Sequence, residues 1–369
     1  TRRSARLTDK GNMWVEIVKP PIGDAAPGLP VTLGEGWFEI TSISWLPGAD
    51  GIAVSAKHQA LIERQLYEIT YPGGETKRQT NDLFEYDGVG ITRDGKVLVS
   101  RQADRRSSIW LIPVGQPEAA TRVIEGVGLI RHLVALANGD VIYAASSGGN
   151  SDIWRTTLDG TRRKRLTDDP GVDLMPDVSP DGRTVAFISS RSGQVTIWMM
   201  DADGAHQRQL TSHGRDSRPR FAADGRSLVY NFQDGQQSIL YKMSLPGGQR
   251  SLLPTLYTRL AVFSPDGRFI AAVNNARKLA VISAADGSLV RSFDAQSLYG
   301  LRWTKDSTAI ALVSDGAIYL QPLRGGKAEK IADVSPDEIL SFDWTPDEKS
   351  LLVARVSNQW SAVMLKDFR

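Results

Sequence analysis

The sequence contains no cysteine among its 369 residues, so it offers neither a disulfide framework nor thiolate chemistry. It has no apolar run near the ~20 residues of a membrane span, and its first residues show no apolar signal-peptide core. Lys and Arg number 44 against 42 Asp and Glu, which leaves a formal net charge of +2. This balance gives no general attraction to nucleic acid or to anionic lipid. We therefore expect no nucleic-acid partner and no membrane contact by this chain.

Several catalytic motifs are also missing. There is no His-Arg-Asp loop, no Asp-Phe-Gly, and no G-x-S-x-G elbow that would expose a nucleophilic serine. The four histidines show no H-E-x-x-H pattern, and Asp201-x-Asp203-Gly204 lacks the distal Glu of a calcium loop. We therefore predict a chain without catalytic activity, cofactor or metal.

The sequence does contain a repeat, which is clearest between Asp173 and Thr211. Four short runs rich in Val, Ile, Phe and Trp alternate there with turn residues, which indicates strands and not helices. Pro180-Asp181-Gly182 suits the first hairpin turn, because Pro presets φ and Gly accepts a positive φ. Asp203-Gly204 suits the last turn. The unit therefore reads as a four-stranded antiparallel meander.

The first hairpin turn recurs along the whole chain. Eight matching turns lie near residues 47–50, 93–95, 138–140, 180–182, 223–225, 265–267, 305–306 and 346–347. Ile109-Trp110, Ile153-Trp154 and Ile197-Trp198 mark the third strand of three units. A spacing of ~40–45 residues with four strands per unit is typical of a β-propeller.

We therefore predict an all-β fold, an eight-bladed β-propeller of four-stranded antiparallel blades, with seven blades as the alternative. A single propeller domain spans 31–369, and 1–30 is an N-terminal extension that resembles the tail of an earlier unit. The last unit offers only three strands, so we expect Val31–Glu35 to complete it and to close the ring. The predicted blades are 38–80, 81–126, 127–169, 170–213, 214–255, 256–295, 296–334, and 335–369 with 31–35.

Large aromatic residues are expected to pack between blades. Trp110, Trp154 and Trp198 favour strands and bury large apolar surfaces. Arg191, in the loop before the strand of Trp198, is expected to be solvated.

Polar residues on the innermost strands are the candidates for binding. Their neighbours along the strand are mostly apolar and suit the layer between blades, which leaves the polar side chains on the other face. A charge there needs a partner or water from the channel. The candidate channel residues are His132, Asp177, Arg218, Arg220, Arg302 and Asp343. The same residues also suit ion pairs that hold neighbouring blades in register.

The unit SPDGRTVAFISSRSGQVTIWMMDADGAHQRQLT resembles the TolB-type propeller repeat of bacterial periplasmic proteins, and also the propellers of prolyl-oligopeptidase-like peptidases. Longer segments, such as SISWLPGADGIAVSA and SFDWTPDEKSLLVARVSNQWSAVMLKDFR, are similar to the C-terminal sensor propellers of acidobacterial membrane-bound serine/threonine kinases. These resemblances cover about residues 35–369.

The resemblance implies a non-catalytic sensor or binding module, part of a larger bacterial signalling protein. It also implies an extracytoplasmic, periplasmic location. We expect a monomer that binds a protein, a peptide or a small molecule at its channel face. The alternatives are the regulatory propeller of a peptidase whose hydrolase domain lies elsewhere, and a TolB-like scaffold in the cell envelope.

Overall fold

The computed structural model describes residues 4–7, 13–17, 31–58, 64–82, 84–125, 128–147, 150–234, 237–274, 278–294 and 300–366. These residues form thirty β-strands and one short 3-10 helix at Pro117–Ala119. Within them, no helix is both long and apolar enough to cross a membrane. Contacts between residues divide the chain into two compact units, one of residues 1–105 with 358–369 and the other of residues 106–357. The sequence predicted a single domain over 31–369.

The first unit contains a six-stranded sheet and part of a second sheet. The strands of the six-stranded sheet are adjacent in chain order: β1 (Ser4–Leu7), β2 (Met13–Ile17), β3 (Val31–Trp45), β4 (Gly51–His58), β5 (Gln65–Thr70) and β6 (Thr76–Arg78). The second sheet begins with β7 (Glu85–Ile91) and the start of β8 (Val97–Pro113). Two apolar clusters, centred on Trp37 and on Leu98, form the core of this unit.

The second unit contains six four-stranded blades, which we number I to VI. Blade I combines β29 (Glu338–Trp344) and the first half of β30 (Ser350–Lys366) with the second half of β8 and with β9 (Thr121–Glu125). Blade II is β10 (Ile130–Ala135), β11 (Val141–Ser147), β12 (Asn150–Thr156) and β13 (Arg163–Arg165). Blade III is β14 (Asp173–Val178), β15 (Thr184–Ser189), β16 (Thr196–Asp201) and β17 (Arg208–Gln209).

Blades IV and V share one long strand. Blade IV is β18 (Asp216–Phe221), β19 (Ser227–Asp234), β20 (Gln237–Ser244) and the first half of β21 (Arg250–Phe263). Blade V is the second half of β21 with β22 (Phe269–Asn274), β23 (Leu279–Ser283) and β24 (Leu289–Phe293). Blade VI is β25 (Leu301–Trp303), β26 (Ala309–Ser314), β27 (Ala317–Pro322) and β28 (Glu329–Asp333). Every described pairing within the blades is antiparallel, as the sequence predicted.

Six apolar clusters show that these blades form a closed ring. Each cluster joins two neighbouring blades, and together they connect I to II, II to III, III to IV, IV to V, V to VI, and VI back to I. In the last cluster Ile112 of β8 packs with Phe342 and Leu351 of blade I and with residues of blade VI. The burial of both faces of each sheet is what stabilises a propeller.

The two long strands β8 and β30 close this ring. Successive contacts join Val114 to Lys349, Trp110 to Arg355, and Arg106 to Ser357, so the two strands run in opposite directions. The first described strands of the second unit therefore complete the blade that its last strands begin.

One expectation about closure differs from this arrangement. Val31–Glu35 does not complete the last blade, because it lies in β3, which pairs with β2 and β4. The count of eight blades in one ring is not confirmed, and neither is the alternative of seven. Six repeats form the closed ring of the second unit, and the repeats whose turns lie at 47–50 and 93–95 begin in the first unit.

Candidate functional site

The ring of the second unit surrounds a polar cavity. The cavity has a volume of about 40 Å³, and residues of the innermost strands or the loops just before them, from five of its six blades, line it. Of the six predicted channel residues, His132, Arg218, Arg220 and Arg302 line this cavity. Asp177 and Asp343 are absent from the lining, because each is engaged in bonds between blades. The structure thus separates the predicted set into one histidine and three arginines at the cavity and two carboxylates that link blades.

Asp177 joins blades III and IV. Its Oδ1 accepts a hydrogen bond from Arg220 Nη1 at 2.9 Å, and its Oδ2 accepts one from the backbone N–H of Phe221 at 2.7 Å. Burial raises the pKa of this carboxyl, while the charge of Arg220 and the Phe221 N–H oppose that rise. This geometry therefore supports the predicted role of Asp177 in holding neighbouring blades in register.

Asp343 plays a similar part in blade I. Its Oδ1 accepts a hydrogen bond from Arg302 Nε of blade VI at 2.9 Å, and its Oδ2 accepts one from the backbone N–H of Ala135 of blade II at 3.1 Å. Arg302 also donates to the carbonyl oxygens of Leu301 and Leu133, at 2.9 and 3.2 Å. One carboxylate therefore links three neighbouring blades. Such a buried pair is costly to break, because each remaining partner loses its compensation.

His132 and Arg218 reach the cavity through an unusual backbone conformation. Their φ angles are 49° and 53°, in the left-handed region that residues other than glycine rarely adopt. Each lies where the pairing register of the first strand shifts, between Arg131 and Val134 in β10 and between Ser217 and Arg220 in β18. A β-bulge of this kind adds a residue and redirects a side chain. Met175 has the same conformation at the corresponding place in β14.

The bulges are the feature that the sequence did not reveal. Alternation along the strand placed His132 and Arg218 near the channel but gave no sign of the extra residue. Sequence reasoning also missed Ser341, which lines the cavity and whose Oγ accepts the backbone N–H of Leu133 at 3.1 Å. Its small polar side chain lies between apolar neighbours in the sequence, which is the only signal that could have identified it.

The electrostatic surroundings of His132 are strongly positive. Burial lowers the pKa of His132 well below its ordinary value, and the charges of Arg218, Arg220, Arg131 and Arg302 lower it further, in that order. The imidazole is therefore neutral at neutral pH. Its Nδ1 is buried and has no hydrogen-bond partner among the described residues.

The arrangement offers hydrogen-bond donors and positive charge. No group of three or more His, Cys, Asp or Glu residues in the described ranges could hold a metal ion. Asp203, which belonged to the partial calcium pattern, accepts the backbone N–H of Ala205 at 2.9 Å and so stabilises a hairpin turn. The geometry suits reversible binding of a group that accepts hydrogen bonds.

Comparison with known proteins supports the fold. The model of the Tricorn protease N-terminal beta propeller domain matches residues 137–289, which lie in the second unit. A protein TolB homolog of Chlorobium luteolum is 38% identical over 65 residues, 18% of this chain and 15% of that protein. The uncharacterized protein Atu1656 of Agrobacterium fabrum is 42% identical over 176 residues, 46% of this chain and 59% of that protein. The chain thus matches less than two thirds of either relative.

A solved structure agrees with these matches. The structure of a putative TolB from Agrobacterium tumefaciens superposes with a TM-score of 0.59 at 19% identity, and covers 69% of this chain and 99% of that one. At this identity the likeness concerns the fold alone. Together with the ring of four-stranded blades, it identifies the fold of this chain as a TolB-like β-propeller.

Proposed function

We propose that this chain is a non-catalytic binding module, and that the cavity at the centre of the six-bladed ring receives part of a ligand or protein partner. The observation that carries the proposal is the convergence of His132, Arg218, Arg220 and Arg302 from three blades on one cavity. His132 and Arg218 reach it in a strained backbone conformation, which costs of order 1–3 kcal/mol per residue and concentrates at functional sites.

The binding role is consistent with the fold. A propeller presents a rigid ring of loops and strand ends around its centre. The particular residues at these positions form binding sites, and the fold alone does not define them. The cavity combines apolar walls, such as Leu260 and Phe342, with a few polar groups that converge on one point. That combination is common in sites that recognise one particular group of a ligand.

The wider setting that we propose is a larger bacterial signalling protein, of which this chain is the extracytoplasmic sensor region. The support is the resemblance of its longer segments to the sensor propellers of membrane-bound serine/threonine kinases. The relatives named TolB favour a second candidate, a scaffold in an envelope complex that also binds a protein partner. The match to the Tricorn protease propeller favours the regulatory propeller of a peptidase, since only the propeller part of that protein is matched.

A thermal-shift screen tests the proposed binding role. Amino acids, short peptides and small organic acids are each added at millimolar concentration to three proteins: the native chain, Arg218→Gln, and Arg208→Gln as a matched control on the exposed outer strand β17. A ligand that binds only the folded state raises Tm by mass action. We expect at least one compound class to stabilise the native chain and the control but not Arg218→Gln. Equal shifts in all three proteins would place binding outside the cavity and contradict the proposal.

A further inference from the structure

An open groove lies between blades V and VI, at the end of the blades that carries the first hairpin turns. Blade V lines it with Arg268 and residues 290–291, and blade VI lines it with residues 306–309 and 322–324. Its volume of about 760 Å³ falls within the range of about 300–1,000 Å³ that is usual for ligand sites. The groove shares no lining residue with the cavity at the centre of the ring.

The outer strand of blade V presents two consecutive side chains to this groove. Along a regular strand, Val290 and Arg291 would point to opposite faces of the sheet. The pairing register of β24 shifts at this place, because Val281 pairs with Arg291 whereas Ile282 pairs with Leu289. Val290 is therefore the extra residue of a β-bulge, a feature that redirects side chains. As a result, an apolar and a cationic side chain both line the groove.

The apolar part of the groove is open to solvent. Val290 is 48% exposed, and Leu289 beside it on the strand is 61% exposed. Pro322 and Leu323 of blade VI line the same groove, and Leu323 also packs against the apolar cluster that joins blades V and VI. Exposed apolar surface next to polar residues marks sites of interaction. An aliphatic side chain would be buried here.

Two arginines lie together at the groove. Arg291 Nη1 donates a hydrogen bond to the carbonyl oxygen of Arg324 at 2.8 Å. Gly325 has a φ of 101°, and a Cβ at this residue would lie 2.7 Å from Arg291 Nη1, so the glycine makes room for the guanidinium. Within the described ranges, no carboxylate forms an ion pair with either arginine. Because a guanidinium carries five N–H groups, donors remain for a ligand.

The carboxylates near the groove already have partners. Asp266 Oδ2 accepts Arg268 Nε at 2.7 Å, and Asp266 is not part of the groove lining. Asp306 lines the groove, but it accepts the hydroxyls of Thr304 and Thr308 and the backbone N–H of Thr308. These hydrogen bonds lower the pKa of Asp306, which keeps it charged and engaged in its turn. Three arginines face two carboxylates in all, and the positive excess lies at the two arginines described above.

This combination suits a segment of protein chain. Nucleic-acid grooves combine positive charge with aromatic side chains on which bases stack, and the lining of this groove contains no aromatic residue. A carboxylate side chain matches the planar fork of an arginine, because two N–H groups can reach its two oxygens. A polypeptide that carries acidic and aliphatic side chains satisfies both parts of the groove at once.

We propose that the groove between blades V and VI docks an extended acidic segment of a partner protein. An acidic side chain of that segment binds Arg291 and Arg324, and an aliphatic side chain packs against Val290 and Leu323. This site is separate from the central cavity and goes beyond the proposed function. Because the two arginines are exposed, salt weakens the docking.

A selection from random peptides displayed on phage tests the proposal. The library is first depleted on the double variant Arg291→Gln with Arg324→Gln, and the remainder is then selected on the native full chain. We expect enrichment of peptides that combine Asp or Glu with aliphatic residues. The most enriched peptide is synthesised with a fluorescent label and titrated by fluorescence anisotropy at low and at high salt.

Matched variants connect the binding to the groove. The double variant should weaken binding of the enriched peptide at least tenfold, and Val290→Ser should weaken it severalfold. Arg183→Gln, on an exposed hairpin turn of blade III, is the control and should leave binding within twofold. Replacing each acidic residue of the peptide by its amide should also weaken binding at least tenfold. All of these variants should keep the native Tm, since the replaced side chains are exposed.

Three results would overturn the proposal: no enrichment, enriched peptides without an excess of acidic residues, or equal affinity of the acidic peptide and its amide form. Binding of an oligothymidylate or of inorganic polyphosphate that is lost in the double variant, without binding of any acidic peptide, would also reject a protein partner. None of these bears on the central cavity, because the double variant should respond in the thermal-shift screen as the native chain does. Failure of that screen would in turn leave the groove untouched.

Discussion

Asp177 and Arg220 form an ion pair across two neighbouring blades, with 2.9 Å between Oδ1 and Nη1, and the same carboxylate also accepts the backbone N–H of Phe221. Both side chains are about 15% exposed, at 15% and 14%. The pair thus lies where solvent screening is weak. It holds a cationic side chain at the cavity while the carboxylate itself stays out of the lining.

Removing this carboxylate should destabilise the ring. Asp177→Ala leaves the Arg220 guanidinium and the Phe221 N–H without their partner, and breaking a buried pair from one side costs about 3–5 kcal/mol. We expect Tm to fall by about 10 °C in a calorimetric scan, since about 1 kcal/mol corresponds to roughly 2–4 °C in a domain of this size. The exposed Asp234→Ala is the control and should change Tm little.

The charge swap refines this prediction. Asp177→Arg combined with Arg220→Asp restores opposite charges but gives the Phe221 N–H no acceptor, so the swap should recover only part of the loss. A Tm of Asp177→Ala within two degrees of the native value would show that the pair contributes no stability.

Arg191 should contribute nearly as much to the free energy of unfolding as a core residue. Its side chain is 12% exposed, donates to Asp173 Oδ2 at 2.7 Å, and lies 4.8 Å from the centre of the Trp198 ring. The side chain of Arg191 is therefore not solvated as the sequence suggested, although residues 192–195 of the same loop are exposed. Arg191→Ala leaves the buried carboxylate of Asp173 unpaired, and we expect a loss of about 3–5 kcal/mol in urea unfolding.

Arg183→Ala, on an exposed hairpin turn, is the matched control for Arg191→Ala. Arg191→Lys keeps the charge but loses the planar fork, so it should recover only part of the loss. Equal unfolding midpoints for Arg191→Ala and Arg183→Ala would show that the contacts of Arg191 are without effect.

The turn aspartates should make stability depend on pH. Thr157 and Thr161 donate hydrogen bonds to Asp159, which lowers the pKa of this carboxyl from 3.8 to about 2. The folded state therefore favours the charged form more than the unfolded chain does. This stabilisation is present above pH ~4 and is lost as the pH falls toward 2.

Asp159→Asn should accordingly lower Tm at pH 6, and the difference from the native protein should shrink between pH 4 and pH 2. The side chain is exposed, so the effect is small and is best measured as a difference in Tm against pH. A constant difference for Asp159→Asn down to pH 2 would contradict the assigned direction.

Much of the local structure is determined by short-range chemistry, and the sequence therefore predicts it. Pro180-Asp181-Gly182 forms a turn because Gly182 has a φ of 71° and Asp181 accepts the hydroxyl of Ser179 and the N–H of Arg183. The same chemistry at a regular spacing predicted four-stranded antiparallel blades. It also located the polar residues of the innermost strands, four of which line the cavity.

The sequence did not predict which distant strands pair, because several ways of closing the ring would bury a similar apolar surface. The second half of β8 lies in blade I between β30 and β9, and its Ile112 packs there with Phe342 and Leu351, contacts between residues far apart in the sequence. The positive φ of His132 and Arg218 was also hidden, since no glycine marks either position in the sequence.

Residues 106–357 form a closed six-bladed ring whose first strands complete its last blade. The most direct test is the thermal unfolding of two fragments, 106–357 and 126–357, by calorimetry with light scattering. Fragment 106–357 should unfold in one cooperative transition as a soluble monomer. Fragment 126–357 lacks two strands of blade I, which exposes an open edge and the apolar surface around Leu351 and Leu352, so it should aggregate or unfold without cooperativity. Equal Tm and equal solubility of the two fragments would contradict the closed ring, and with it the cavity on which the proposed function depends.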